Sequence, residues 1–137
     1  MTDLIFVYGT LRSGFSRHRI LRRVGASIVG WGSVQGELWD LGFFPGARPS
    51  DRPKTRIIGE VYRLRNPDRA LAVLDTIEGF QPIAPESSLF RRQTVPVALV
   101  NGQQTAAWVY WLNRLPVSKR SIPSGDYGRW MAVGNRR

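Results

Sequence analysis

Short runs of β-branched and aromatic residues, each bounded or bent by glycine or proline, recur along the whole length of this chain. Such residues favour the pleated, half-buried environment of a strand, whereas glycine and proline interrupt strands. The runs are residues 4–8, 26–39, 57–64, 90–100 and 105–112. Many short strands in one domain are typical of a sheet that closes on itself, because closure removes exposed edges. The sequence therefore predicts a β-dominated domain built around a closed or nearly closed barrel.

The interruptions also predict where these strands turn. Asn101-Gly102 separates the last two runs and indicates a hairpin turn of type I′. Pro96, inside the first arm of this hairpin, indicates an edge position or a bulge. The run 26–39 contains three glycines, so we expect two strands with bends or bulges there. Residues 40–47 and the proline-containing residues 48–56 are predicted to be loops.

A short helix is predicted between Asn66 and Gly79, with both of its ends marked. Asn66 suits the N-cap, because its side-chain oxygen can accept a hydrogen bond from the first turn, and Pro67 suits the first helical position. Gly79 suits the left-handed residue that ends a helix. The apolar side chains fall on one face, and they are Ala70, Leu71, Val73, Leu74 and Ile77. A second short helix is predicted over residues 16–24, and the C-terminal tail is predicted to be packed loop.

Glu78 lies at the edge of the apolar face of the first of these helices, between Leu71 and Leu74 in projection. Glutamate is rarely buried without a partner. Burial raises the pKa of a carboxyl group, and the negative end of the helix dipole acts in the same direction. A glutamate that titrates nearer neutrality suits general acid–base catalysis. The alternative is a glutamate at the rim of the helix with its carboxylate in water, and the helical pattern alone leaves both interpretations open.

Composition excludes several kinds of chemistry. The chain fits one domain, residues 1–137, and it has no cysteine, which excludes disulfides and thiolate catalysis. The single histidine, His18, argues against a histidine-ligated zinc site and against a serine–histidine triad. We therefore expect no metal or other cofactor. No signal-peptide pattern and no run of about 20 apolar residues is present, so we expect a cytoplasmic protein without a membrane partner.

The formal charge of +10 is compatible with an acidic or nucleic-acid partner. Nearly all of this charge comes from arginine, which is spread along the chain and is densest in residues 12–23. Because no single basic block exists, nucleic acid is not the expected partner. A nucleic-acid-binding barrel nevertheless stays open as an alternative, with Trp31, Trp39 and Trp108 as stacking surfaces.

A loop with two glycines follows the first predicted strand, with the sequence Tyr8-Gly9-Thr10-Leu11-Arg12-Ser13-Gly14. It is neither a Walker loop nor a dinucleotide fingerprint, because the lysine and the glycine spacing are absent. Glycine directly after a strand lets backbone amides approach a ligand, and successive amides can hold an anion. Turn glycines are common, so this loop alone assigns no ligand.

Several stretches together resemble the γ-glutamylcyclotransferase-like family, which includes γ-glutamylamine cyclotransferases. The matching segments follow the family's order and are residues 7–12, 36–45, 59–62, 74–79 and 124–127. The resemblance implies an α+β fold, a mixed β-barrel flanked by short helices, with a pocket at one mouth of the barrel. It implies that Glu78 is the catalytic glutamate. It also assigns substrate binding to Tyr8, Gly9, Thr10 and Leu11, and it places Tyr127 near the pocket.

Members of this family cleave a γ-glutamyl amide by turning the substrate's own α-amine onto its γ-carbonyl, which releases 5-oxoproline and an amine. The resemblance thus implies a small γ-glutamyl substrate, Glu78 as general acid and base, and loop amides at Gly9–Leu11 that hold the α-carboxylate or the oxyanion. Tyr8 would contact the glutamyl group, and Arg12 would either neutralise the α-carboxylate or lie at the surface. The alternative is a non-catalytic small-molecule-binding module of the same fold. The amine half of the substrate and the oligomeric state stay open.

Overall fold

The computed structural model describes residues 2–134. The elements follow in the order β1 (Leu4–Val7), α1 (His18–Arg23), β2 (Ala26–Gln35), β3 (Glu37–Asp40), β4 (Pro45–Arg48), β5 (Arg56–Leu64), α2 (Pro67–Glu78), a 3₁₀ turn (Pro85–Ser87), β6 (Phe90–Leu99), β7 (Gln104–Leu112), β8 (Arg120–Ser121) and α3 (Tyr127–Ala132). Five strands close into a barrel in the order β1-β5-β2-β6-β7. The closing pair, β1 and β7, is parallel, while the other pairs are antiparallel. This confirms the mixed barrel flanked by short helices.

The two faces of β1 contribute to two different apolar clusters, because successive side chains of a strand point in opposite directions. Leu4 and Phe6 belong to a cluster to which all five barrel strands contribute side chains. Ile5 and Val7 belong to a second cluster, in which the barrel packs against Leu21 of α1 and against buried residues of α2. Burial on both faces explains why this strand reads as a continuous apolar run. The end of β1 therefore lies between the barrel and the two helices.

The β6–β7 connection differs from the predicted type I′ turn. The Leu99 amide donates to the Gln103 carbonyl at 2.8 Å, and the Gly102 amide donates to the Leu99 carbonyl at 2.9 Å. Among the described residues only glycines have positive φ, and Gly102 has φ +90°. A type I′ turn needs positive φ at both central residues, so Asn101 cannot occupy one. The connection is instead a three-residue loop that ends in a left-handed glycine.

The two predicted helices lie where the sequence places them, but the capping and burial of individual residues differ from the prediction. Gly79 has φ +67° and ends α2 as predicted. Asn66 occupies the N-cap, but its side chain makes no capping hydrogen bond, so that expectation was wrong. Val73 is 41% exposed and does not join the buried face of α2. The tail contains α3, which was not predicted, and Asp126 caps it by accepting a hydrogen bond from the Arg129 amide.

The structure confirms one prediction about the strands and corrects another. The chain between β2 and β3 divides near Gly36 as expected, and β2 has a bulge between Ile28 and Gly30. The predicted loop 40–47 is shorter than expected, because Pro45 already begins β4 and pairs with Asp40.

Within the described part of the chain, no helix has both the length and the apolarity needed to cross a membrane.

Candidate active site

A pocket lies where β1 ends, between the loop that follows this strand and the C-terminal end of α2. Its walls are mostly apolar, and the polar side chains among them are Tyr8, Thr10, Arg17, Glu78 and Tyr110. The structure thus brings Glu78 of α2 and the loop residues 8–11 to one pocket. A mostly apolar cleft with a few convergent polar groups is the usual form of a small-molecule site.

Glu78 is the acidic residue among the pocket's lining residues. It is the last residue of α2, where the left-handed Gly79 turns the chain away. Burial raises the pKa of the Glu78 carboxyl to about 7, and the positive charge of Arg17 acts in the opposite direction. Within residues 2–134 the carboxyl group forms no hydrogen bond or ion pair. A half-buried carboxyl that is free to exchange a proton near neutrality has the properties of a general acid and base.

Three consecutive residues of the loop after β1, Gly9, Thr10 and Leu11, line the pocket. The amides of Gly9, Thr10 and Leu11 donate to no acceptor in the described part of the chain. The loop itself is held by its carbonyls, because Arg12 N donates to Gly9 O and Arg17 N donates to Thr10 O, both at 3.0 Å. Successive unpaired amides form a concavity that stabilises an anion. The arrangement can therefore bind a carboxylate or an oxyanion.

Gly9 is required by close packing in this loop. A Cβ atom at this position would lie 2.6 Å from Cγ and 3.1 Å from Cδ of Pro45. Pro45 lines the same pocket from the start of β4. The contact between Gly9 and Pro45 therefore sets the position of the loop amides relative to the opposite wall.

The hydroxyl group of Tyr8 is occupied by the protein itself. It donates to the main-chain carbonyl of Tyr110 at 2.7 Å and accepts from the Ala47 amide at 3.3 Å. Burial raises the pKa of the Tyr8 phenol far above its ordinary value, and the nearby Glu78 carboxylate adds to this effect. Tyr8 is therefore a neutral residue that lines the pocket with its ring, and its hydroxyl proton is committed to Tyr110.

A buried hydrogen-bonded network supports α2 next to Glu78. Asp75 lies one turn before Glu78 and accepts a hydrogen bond of 2.6 Å from the Tyr110 hydroxyl. The Arg92 guanidinium donates to both carboxylate oxygens of Asp75, at 2.8 and 3.1 Å. The central carbon atom of the Arg92 guanidinium, Cζ, lies 4.4 Å from the centre of the Trp108 ring. Burial and the hydrogen bond to Asp75 raise the pKa of Tyr110, so this tyrosine stays a neutral donor.

Arg12 and Tyr127 lie outside the pocket. Arg12 is neither an α-carboxylate ligand in this pocket nor a surface residue. It is buried, and its Nη1 atom forms a 3.0 Å ion pair with Asp126. Burial alone would raise the pKa of Asp126, but the hydrogen bond from Arg12 and the capping amides of α3 lower it overall. Tyr127 is buried against Phe15, with ring centroids 5.1 Å apart, and makes no part of the pocket wall.

Arg17 lines the pocket, although its sequence context, a segment of scattered arginines, did not single it out. His18, the next residue, contacts other parts of the protein. Its Nδ1 atom lies 3.0 Å from the Leu11 carbonyl, and its ring contacts Tyr62.

The fold and the site together define a small mixed-barrel protein with an acidic residue and a glycine-containing loop at one pocket. The chain matches the family model described as "Gamma-glutamyl cyclotransferase, AIG2-like" over residues 5–130, and it belongs to this family.

Similar proteins have the same extent or contain a similar domain. A Vibrio cholerae protein named "Putative gamma-glutamylcyclotransferase" is 32% identical over 129 residues, which cover 93% of this chain and 96% of that protein. The crystal structure of YkqA from Bacillus subtilis is similar with a TM-score of 0.76 and 27% identity over 98% of this chain, which spans 43% of YkqA. An AIG2-like protein from Mus musculus has a TM-score of 0.67 at 22% identity, covering 83% of this chain and 80% of that one. The last similarity is one of fold.

Proposed function

We propose that this protein is a γ-glutamylcyclotransferase that cleaves a γ-glutamyl amide by intramolecular cyclisation, with Glu78 as general acid and base. The observation that carries this proposal is the Glu78 carboxyl itself. It lines a pocket, has no partner among residues 2–134, and has a pKa of about 7 because of burial. Family membership supplies the class of reaction.

Glu78 moves the proton in this reaction. In its carboxylate form it accepts a proton from the substrate's α-ammonium group, which frees the lone pair of the α-amine. The amine attacks the γ-carbonyl carbon and closes a five-membered ring. Glu78 then returns this proton to the amide nitrogen as the bond between the γ-carbon and that nitrogen breaks. The attacking nitrogen also loses a second proton as it becomes the lactam nitrogen, and the released amine takes up that proton and leaves as an ammonium group. The products are 5-oxoproline and a free amine, and no water is consumed.

The loop after β1 stabilises negative charge during the same steps. As the γ-carbonyl is attacked, its oxygen becomes an oxyanion that needs fixed hydrogen-bond donors. The unpaired amides of Gly9, Thr10 and Leu11 line the pocket with Glu78. One such donor is typically worth about 10²- to 10³-fold in rate. The same amides are alternatively suited to the substrate's α-carboxylate.

The pocket also favours ring closure by its shape. A γ-glutamyl chain must curl for its α-nitrogen to reach its γ-carbon, and holding reactants in the attacking geometry accelerates such a step strongly. The apolar walls, which include Phe44 and Phe90, limit the space in which the chain can extend. The protein therefore needs no nucleophile of its own.

The test is a mass-spectrometric assay for 5-oxoproline with a panel of γ-glutamyl amines and γ-glutamyl dipeptides. Glu78→Gln keeps nearly the same shape but cannot exchange the proton, so we expect it to bind substrate and to lose turnover. Glu86→Gln is the matched control, because Glu86 is exposed and lies in the 3₁₀ turn. If Glu78→Gln keeps more than a small fraction of the activity, Glu78 is not the base.

The same panel tests the non-catalytic binding module. If the folded wild-type protein forms no 5-oxoproline from any substrate, the binding module replaces the enzyme. The unpaired carboxyl of Glu78 favours the enzyme, because a pocket that only binds has no use for a proton donor and acceptor at that place.

The nucleic-acid-binding alternative has less support. Each tryptophan considered for stacking already has a cationic side chain over its ring, and these pairs are Arg12 with Trp31 at 4.9 Å, Arg92 with Trp108 at 4.4 Å and Lys119 with Trp39 at 5.9 Å. A base that stacked on the same faces would have to displace these cations.

A further inference from the structure

Arg17 brings a positive charge into the pocket without a partner for it. Its backbone is fixed, because its amide donates to Thr10 O and its carbonyl accepts from the Ile20 amide, both at 3.0 Å. The residue is half-buried and lines the pocket with Glu78. Over residues 2–134 its guanidinium forms no hydrogen bond and no ion pair. The five donor N–H groups of this guanidinium therefore have no acceptor in the described part of the chain.

Four other buried or half-buried arginines, namely Arg12, Arg48, Arg56 and Arg92, have hydrogen-bond or ion-pair partners within the chain. Arg12 and Arg92 form ion pairs with aspartates. Arg48 donates to main-chain carbonyls of β7 and of the residue after it, and Arg56 donates to Ser33. A guanidinium removed from bulk water normally has such a partner, because an unpaired buried charge is costly. Arg17 differs from these residues in lying at a ligand pocket.

Glu78 does not supply the missing partner. The two side chains form no ion pair, although Arg17 is close enough to lower the pKa of Glu78. Since Glu78 is protonated part of the time near neutral pH, the charge of Arg17 has no constant counterion in the pocket. A ligand carboxylate fits this place, because its two oxygens match the planar fork of a guanidinium.

We propose that Arg17 binds a carboxylate of the substrate and thereby selects anionic γ-glutamyl compounds. The proposal rests on the proposed function for the γ-glutamyl part of the ligand. Two carboxylates have the required chemistry: the α-carboxylate of the glutamyl half, and a carboxylate on the released amine, as in a γ-glutamyl amino acid. Arg17 determines the specificity in both cases. Ligands that lack either the α-carboxylate or the carboxylate on the amine distinguish the two possibilities.

The experiment measures equilibrium binding by calorimetry in the Glu78→Gln background, where the ligand is not consumed. The ligands are γ-glutamylglycine, the same compound with its glycine carboxylate converted to an amide, and the same compound with its α-carboxylate converted to an amide. We expect Arg17→Gln to weaken the binding of γ-glutamylglycine about 10- to 100-fold, as for the loss of a charge-assisted hydrogen-bonded pair. For one of the two amide derivatives, the carboxylate that Arg17 contacts has been removed. The binding of that derivative should be unchanged by Arg17→Gln. That insensitive ligand identifies which carboxylate Arg17 binds.

Two further variants separate a specific contact from general charge. Arg19→Gln removes the same charge from an exposed residue of α1, and we expect it to leave the binding of all three ligands unchanged within about twofold. Arg17→Lys keeps the charge but not the planar fork, so it should bind γ-glutamylglycine more tightly than Arg17→Gln. Thermal unfolding of each variant establishes that it is folded.

The outcomes are distinct. If Arg17→Gln weakens all three ligands equally or weakens none of them, Arg17 binds no carboxylate and the proposal is overturned. If none of the ligands binds the Glu78→Gln protein, this proposal fails, and the 5-oxoproline assay with the full panel decides the proposed function separately. If the ligands bind with the expected dependence on Arg17 but the wild-type protein releases no 5-oxoproline, only the proposed function fails.

Discussion

The hydroxyl of Tyr110 donates a 2.6 Å hydrogen bond to Asp75, while the main-chain carbonyl of Tyr110 accepts a 2.7 Å hydrogen bond from Tyr8. The Asp75 bond ties β7 to the helix that carries Glu78. The Tyr8 bond ties β7 to the end of β1, where the amide loop begins. A single residue of β7 thus connects the helix that carries Glu78 with the loop that follows β1, and its side chain also lines the pocket.

Tyr110→Phe tests this connection. The substitution keeps the ring and the main-chain bond to Tyr8 but removes the donor to Asp75, which retains Arg92. We expect a loss of about 1–2 kcal/mol in the free energy of unfolding by urea and a lower kcat, because α2 is held less firmly. Tyr62→Phe is the matched control, since the Tyr62 hydroxyl donates to a buried carboxylate, Glu60, away from the pocket. Equal loss of kcat in both variants would mean that general loosening is the cause.

The rate should depend on pH through Glu78. A general base acts in its deprotonated form, so kcat/KM should rise as pH increases through about 7, the pKa of Glu78. Arg17 lowers this pKa, and Arg17→Gln should therefore move the midpoint to higher pH. Initial rates of 5-oxoproline formation over a pH series measure both values. A midpoint that does not respond to Arg17→Gln would contradict the assignment of the titrating group.

The free energy of unfolding should also depend on pH through Glu78. It should fall as pH rises, whereas the rate should increase. The folded state raises the pKa of Glu78 from 4.5 to about 7, so it holds the proton more tightly than the unfolded state. Stability attributable to Glu78 is then fully present below pH 4.5 and is lost as pH rises through 7. Relative to wild type, Glu78→Gln should gain about 1–3 kcal/mol at pH 8 and lose that gain at pH 4. Urea unfolding at the two pH values measures this, and a difference independent of pH would contradict it.

The Arg12–Asp126 ion pair should matter far more than a surface pair of similar geometry. Arg12 is buried, and its loss leaves Asp126 without its ion-pair partner at the start of α3. We expect Arg12→Met to cost about 3 kcal/mol in the free energy of unfolding. Arg63 pairs with Asp3 at 2.8 Å, but both side chains are largely exposed, so Arg63→Met should cost less than about 1 kcal/mol. Equal costs would show that burial does not decide the strength of these pairs.

The positions of Glu78 and of the loop after β1 could be predicted from local patterns. Glu78 was located because Pro67 and Gly79 mark the two ends of α2 and the apolar residues between them define its buried face. The loop after β1 was located because a glycine directly follows an apolar strand. Such signals lie within a few residues of one another, so they need no knowledge of which strands become neighbours.

The features that the sequence did not reveal depend on contacts between distant segments. Asp75 meets Arg92 and Tyr110 only because the β6–β7 hairpin packs against α2. Arg12 pairs with a residue 114 positions away, which no local pattern indicates. Arg17 belongs to a segment rich in arginine, and only the packing of the loop against the end of α2 distinguishes it from its neighbours.

The contact between Gly9 and Pro45 gives a test of the loop geometry that does not remove any polar group. In Gly9→Ala the new methyl group would lie 2.6 Å from Cγ of Pro45, so the loop must move and its amides must move with it. We expect an overpacking cost of about 1–3 kcal/mol in the free energy of unfolding and a loss of at least about 10-fold in kcat/KM, since one misplaced oxyanion donor has an effect of that size or larger. Pro45→Ala alone removes the ring atoms and should change the rate little. The double variant Gly9→Ala/Pro45→Ala should recover much of the lost activity, because the colliding atoms are gone. If it is as impaired as Gly9→Ala, the methyl group acts through something other than the contact with Pro45, and the loop amides are not positioned by that contact.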